Sequence, residues 1–179
     1  FPTVEAVLAS VAEDEPIHCL RPQRIEATAR AFLAEFPGTV AYATKCNPHH
    51  IVLDALHRAG LRDYDVASRR EVDLVAAIPE SRGWFMHPVK SRAAITAAWE
   101  AGVRDFAVDC IDELDKIHSL LGYPADLGIH VRLAVSSKDS SFDLSSKFGA
   151  SPSEAVGLLK AARRADRVGV CFHVGSQCL

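Results

Sequence analysis

The sequence has no CxxC pair, and its five cysteines, Cys19, Cys46, Cys110, Cys171 and Cys178, are odd in number and widely spaced. That pattern excludes a disulfide framework and a zinc ribbon, and reduced thiols in a reducing, cytoplasmic compartment are expected. No apolar run approaches the roughly 20 residues that span a bilayer, and no basic flank precedes an apolar core at the N-terminus. No membrane association is therefore expected. Basic residues form no block, and 20 Lys and Arg against 23 Asp and Glu leave a net charge of -3. Non-specific nucleic-acid binding is mostly charge neutralisation, so nucleic acid is not an expected partner. The GxGxxG fingerprint of many nucleotide-binding open sheets is missing as well. His49 and His50 are adjacent rather than one helical turn apart, and neither they nor His57 imply a third ligand, so no metal site is expected.

What is present is an ordinary globular composition, 49% hydrophobic and 24% charged, which leaves no room for a disordered, collagenous or coiled-coil reading. Short β-branched or aromatic runs alternate with longer stretches of helical periodicity. Strands are predicted at Ile17–Leu20, Thr39–Ala43, Tyr64–Val66, Gly83–Met86, Asp105–Val108, Gly128–Leu133 and Gly169–His173. The helices carry their own punctuation. Asn47 with Pro48 reads as a helix start that ends at Gly60. Ser68 with Glu71 and Ser151 with Glu154 both fit the capping box. Ser91 caps an Ala-rich helix that stops at Gly102, and another helix runs from about Ile111 to Gly122 with Leu114, Ile117 and Leu121 on one face.

Strict alternation implies parallel strands joined by crossover helices, hence an α/β fold. Periodicity alone leaves two architectures open, an incomplete eightfold barrel and an open doubly wound sheet. The chain opens at Phe1, its only methionine is Met86, and its last residues follow directly on an apolar run. A piece of a longer protein is expected.

Several polar residues fall at the carboxyl ends of predicted strands, where parallel α/β folds bind ligands. Lys45 ends the first of these strands. A partly desolvated amine there can attack an aldehyde, although position alone favours a solvated lysine. Asp65 lies on the same edge, as a partner for a cation or as a turn residue. Glu71 is explained by its capping role. Arg132 stands inside an apolar strand and requires a partner, because an unpaired buried charge is costly; an internal ion pair with Asp65 would satisfy it. His173, Gly175 and Ser176 close the last strand and can supply a flat ring and phosphate donors, although a histidine beside Phe172 is commonly a core residue. Between Val135 and Phe148 a serine-rich stretch, longer than most loops, reads as a lid or as a plain solvated loop.

Taken together, Tyr42-Ala43-Thr44-Lys45-Cys46-Asn47, Asp65-Val66-Ala67-Ser68, Lys147-Phe148-Gly149 and Phe172-His173-Val174-Gly175-Ser176 resemble, in order, the YAxKCN, DxAS, KFG and FHVGS motifs of the fold-type III ornithine/diaminopimelate/arginine decarboxylases. The eukaryotic-type ornithine decarboxylase branch is the most similar. The resemblance covers roughly residues 17 to 179 and implies an incomplete TIM-type barrel of about six of eight βα units. It implies residues 1–20 as a segment leading into the barrel, 21–179 as the partial barrel, and a C-terminal β-domain absent from this chain. The implied cofactor is pyridoxal 5'-phosphate, held covalently by Lys45. His173 would stack on its ring, Ser176 would bind its phosphate, Arg132 would approach its phenolic oxygen, and Asp65 would sit beside Lys45 and Arg132. The implied reaction is decarboxylation of a small basic amino acid, L-ornithine to putrescine. Lysine, diaminopimelate and carboxynorspermidine decarboxylases and a non-catalytic regulatory paralogue are the alternatives. A homodimer with shared active sites is implied, with Lys147 at its interface, and the isolated chain is expected to be inactive. Two features depart from the ornithine decarboxylase pattern. His87-Pro88-Val89-Lys90 stands where those enzymes commonly carry Asn-Pro-Cys-Lys, and Gln177 follows the FHVGS element.

Overall fold

Most of the short apolar runs become strands, and the capped amphipathic stretches become helices. The computed structural model describes residues 1–11, 14, 16–136, 140–142 and 145–178, except for the side chains of 140–142 and 176–178. The chain divides into two compact units, Phe1–Pro37 with His49–Leu61, and Gly38–Pro48 with Arg62–Leu179.

The first unit is helical. Helix α1 is Val4–Ser10, with the Thr3 hydroxyl accepting the Ala6 N–H at 3.2 Å as N-cap. Helix α2, Pro22–Glu35, begins on a proline, whose missing N–H costs nothing in a first turn. The second unit contributes β1 (Ala41–Ala43) and a 3-10 turn (Thr44–Cys46), after which the first unit continues with α3, His50–Arg58. The Glu26 carboxylate ties α2 to α3, accepting from Arg30 at 3.3 Å and from Arg58 at 2.9 Å. Two expectations fail in this unit. Ile17–Leu20 is no strand: all four residues are exposed and no neighbouring strand supplies a ladder. Nor does Asn47 cap α3. The turn after β1 delays the helix, Asn47 stays extended, and His49 takes the role, its Nδ1 accepting the Ile51 N–H at 3.3 Å.

In the second unit the succession is β2 (Asp63–Asp65), α4 (Arg69–Ala76), β3 (Arg82–Phe85), α5 (Arg92–Glu100), β4 (Asp105–Val108), α6 (Ile111–Leu121), β5 (Gly128–Leu133), β6 (Ser140–Phe142), α7 (Pro152–Ala162), β7 (Arg167–Phe172) and β8 (Ser176–Cys178). Most of the predicted strands lie within two residues of these bounds. The Ser91 cap forms on α5, and the full capping box forms on α7. On α4 the box is displaced by one residue: Ser68 accepts the Glu71 N–H, but the Glu71 carboxylate reaches the Ala67 N–H, at 3.0 Å, rather than that of Ser68.

All six strands of the main sheet are parallel, in the order β1-β2-β3-β4-β5-β7. Doubly wound sheets reverse direction at a switch point, whereas a barrel adds each strand beside the last. The unreversed order settles what periodicity left open: this is an open, incomplete β/α barrel. Strands β6 and β8 form a separate antiparallel pair. Central β4 is buried at every position, and Phe85 stacks on Phe106 with centroids 6.1 Å apart. On the last strand of the sheet, β7, Val170 and Phe172 are 55% and 61% exposed.

At the amino ends of these strands the charged groups are matched. Asp63 accepts from Arg82 at 2.9 Å and from the Trp84 indole at 2.8 Å. Asp105 bonds His130 Nε2 at 2.8 Å and Arg167 at 3.0 Å. Gly128 is required beside this group, because a Cβ there would collide with the Asp105 carboxylate.

Candidate active site

The opposite, carboxyl ends of the strands bring the candidate residues together. Lys45 lies in the turn that follows β1, Asp65 is the last residue of β2, Arg132 is the penultimate residue of β5, and His173 directly follows β7. Register aligns them: Ala43 pairs with Asp65, and Arg132 pairs with Cys171. Lys45, Asp65, Arg132 and His173 line a single cavity of about 350 Å³, together with His87 and Phe148. The Ser176 side chain lies outside the described residues, as do residues 137–139 and 143–144 of the serine-rich stretch and the side chains of 140–142. Lys147 itself is exposed.

Lys45 is exposed, as the solvated reading of its strand-end position has it. Asp65 is the strained group of the cavity. Burial raises its pKa, and Glu71 adds to the rise, while the Lys45 charge, the Met86 N–H and the Arg132 charge oppose it. Its Oδ1 is buried with no hydrogen-bond partner among the described residues. Arg132 forms no ion pair with Asp65 within salt-bridge distance among the described residues. Its guanidinium instead lies over the Phe148 ring, 5.6 Å from the centroid, a cation–π contact that offsets part of the cost of desolvation.

Two imidazoles complete the wall, and they are built alike. Each follows a strand, and each accepts at Nδ1 from the N–H two residues further on: His173 from Gly175 at 2.9 Å, and His87 from Val89 at 3.0 Å. Burial lowers the pKa of both, reinforced by Arg132 and Lys45 at His173, and by Lys90, Lys45 and Arg132 at His87, where Asp109 opposes. Both rings are therefore neutral near pH 7, with the proton on Nε2. His87 also meets Phe148 edge-on, with centroids 5.4 Å apart.

Two supports fix this wall. Gly149, at φ +102°, donates its N–H to Asp109 at 3.0 Å, and a Cβ there would strike the backbone of Leu133 and Ala134. Only glycine fits, and it holds Phe148 beside Arg132. Below His87, the fully buried Lys90 ammonium donates to the carbonyls of His87, Pro88 and Ala107 and pairs with Glu113 at 3.0 Å.

His87 and the Lys90–Glu113 pair were not singled out as functional by sequence. For His87 a usable signal existed: it lies two residues beyond β3, on the same edge as Lys45. For Lys90 the lysine shared with the Asn-Pro-Cys-Lys element was a signal too, whereas Glu113 gave none, since it reads as an ordinary surface charge beside a helix start. Among the described residues, no group of three or more His, Cys, Asp or Glu could hold a metal, and no helix is long and apolar enough to cross a membrane.

Residues 22–179 match the pyridoxal-binding domain of the pyridoxal-dependent decarboxylases. A lysine/ornithine decarboxylase of Selenomonas ruminantium is 38% identical over 144 residues, which is 78% of this chain and 36% of the relative. The ornithine decarboxylase of Panagrellus redivivus is 30% identical over 171 residues, 92% of this chain and 38% of the relative. Among solved structures, the arginine decarboxylase of Paramecium bursaria Chlorella virus, bound to agmatine, superposes with a TM-score of 0.87 at 28% identity, covering 97% of this chain and 47% of that one. The chain thus spans between a third and a half of the length of these relatives.

Proposed function

This chain belongs to the pyridoxal-dependent decarboxylase family, and we propose that the protein carrying it decarboxylates a basic amino acid, L-ornithine in the first place, to give putrescine. The observation that supports this most directly is the convergence of Lys45, Asp65, Arg132 and His173 on one cavity at the carboxyl edge of the sheet. The donor set suits pyridoxal phosphate: an accessible amine for its aldehyde, a neutral imidazole for its ring, a guanidinium for an anionic oxygen, and a buried carboxylate oxygen, Oδ1 of Asp65, that lacks a partner among the described residues.

In this reading pyridoxal phosphate, when bound, supplies an aldehyde for the substrate amine and a ring that accepts the electron pair left as CO₂ departs. The chain's own residues hold and tune it. Lys45 would hold it through its accessible amine. His173 offers the flat face of a ring kept neutral by burial and by two cations, so it packs without adding charge. Arg132, steadied on Phe148, would offer its guanidinium to an anionic oxygen of the ligand. Asp65 offers its free oxygen to the Lys45 ammonium and, with a raised pKa, can also hold a proton near that amine. Ser176 is assigned the phosphate, a homodimer completes the site, and the free cysteines suit the cytoplasm.

The test is borohydride reduction of the full-length protein with pyridoxal phosphate, followed by peptide mapping. A label on Lys45 that disappears in Lys45→Ala is the expected result, and a label elsewhere, or none, refutes the assignment. Ranking kcat/KM for L-ornithine, L-lysine and L-arginine then tests the substrate, and the reading fails at that point if L-ornithine does not rank first.

A further inference from the structure

We propose that His87 is a further ligand-binding residue of this cavity, presenting a neutral Nε2–H to an anionic oxygen of the bound cofactor or of the amino-acid substrate. The inference rests on the function proposed above and extends its residue set.

The argument is geometric. His87 lies in the wall that also carries Lys45, Asp65 and Arg132. Its Nδ1 is committed to the Val89 N–H, which fixes the tautomer and leaves Nε2 as the donor. Nε2 has no hydrogen-bond partner among the described residues, and it is not one of the polar atoms sealed away from solvent. The ring cannot swing freely, because Phe148 stands against it and the Lys90 ammonium holds the His87 carbonyl at 3.1 Å. A donor so fixed loses little entropy on meeting an acceptor. Lys45 and Arg132 make the surroundings cationic, so the group drawn here is an anion, and a neutral N–H adds a directed bond without further like-charge repulsion. His173 repeats the construction on the far strand of the sheet. The site therefore has two neutral imidazoles locked at Nδ1, of which only His173 is already assigned to the ligand.

Two anionic oxygens have this chemistry, one on the cofactor and one in the substrate carboxylate, and the experiment separates them. In the full-length protein, the dissociation constant of pyridoxal phosphate is measured by absorbance for wild type, His87→Leu and His87→Asn. L-ornithine KM and the dissociation constant of putrescine, which lacks the carboxylate, are measured on the same proteins loaded with saturating cofactor. Loss of one neutral hydrogen bond weakens binding roughly tenfold. If the partner is the cofactor, His87→Leu raises the pyridoxal phosphate constant by that factor. If it is the substrate, L-ornithine KM rises while putrescine binding does not. In either case His87→Asn, which keeps an N–H donor, recovers to within about threefold, a rescue that a merely structural role would not show. Unchanged constants in His87→Leu overturn the proposal. Should His87→Leu fail to fold, deuterium exchange at the His87 ring C2 position in wild type decides instead: slowing on addition of pyridoxal phosphate or L-ornithine supports the contact, and an unchanged rate overturns it. A wild-type protein that takes up no cofactor on Lys45 fails the functional reading itself and His87 with it, whereas normal uptake with an indifferent His87 fails this proposal alone.

Discussion

The two ends of one parallel sheet hold the same residue types in opposite electrostatic condition. At the amino ends, Asp63 and Asp105 are matched by Arg82, Trp84, His130 and Arg167. Burial by itself raises the pKa of Asp105, but hydrogen bonds from His130 and Arg167 and their charges overcome it, and the carboxyl ends below its ordinary range. At the carboxyl ends, Asp65 is raised by burial, keeps one oxygen without a partner among the described residues, and faces Arg132, which has turned to an aromatic ring. Matched charge stabilises a fold and leaves nothing over for a ligand. The mismatched end is where binding has something to gain.

The sharpest way to break this comparison is to remove the carboxylate that is matched. Asp105→Ala leaves His130 and Arg167 without their shared acceptor and is expected to cost about 3 kcal/mol, read as a lower urea midpoint; an unchanged midpoint would sink the idea that this end is the stabilising one. The same kind of change at the other end should do the reverse. Asp65→Asn keeps the shape and removes a poorly satisfied buried charge, so its stability should stay within about 1 kcal/mol of wild type or rise, while pyridoxal phosphate affinity falls roughly tenfold. A large loss of stability would show that Asp65 is structural.

The smallest effect is in the pH profile, and its sign differs between the two ends. Asp105 has a native pKa below the ordinary 3.8, so its contribution is present above that value and is lost as pH falls through the native pKa. Asp65 has a native pKa above 3.8, so the native state binds its proton more readily than the unfolded chain. Stability should therefore increase as pH falls from the native pKa of Asp65 toward 3.8. Urea midpoints between about pH 3 and pH 6 should lose this rise in Asp65→Asn and keep it in Asp105→Asn, and parallel curves for wild type and Asp65→Asn would rule it out.

Much of this was legible before any coordinates. Asp105–Val108 and Gly128–Leu133 are strands with the bounds their β-branched and aromatic runs implied, since strands in the interior of a parallel sheet bury most of their positions and are mostly apolar. Lys45, Asp65, Arg132 and His173 were legible as strand-end residues, and the cavity they share follows from strand order. Ile17–Leu20 misled because a β-like run has no strand without a neighbour to bond. Arg132 misled because the partner chosen was a charge, when a ring one loop away served. The strand order, the Phe148 contact and the Lys90 cluster depend on long-range approach, which local pattern does not carry.

The Lys90–Glu113 pair has a consequence for how this site can change over generations. Losing Glu113 alone strands the buried Lys90 ammonium, at a cost of about 3–5 kcal/mol, whereas losing Lys90 leaves Glu113 a second partner, Lys116. Lys90 thus makes substitution of Glu113 intolerable while the reverse dependence is weaker, an asymmetric epistasis. Because Lys90 also anchors the His87 carbonyl, that lock confines inherited variation at this wall to exposed tips such as Val89. Ligand preference is then free to drift through side chains while the backbone beneath them stays where it is.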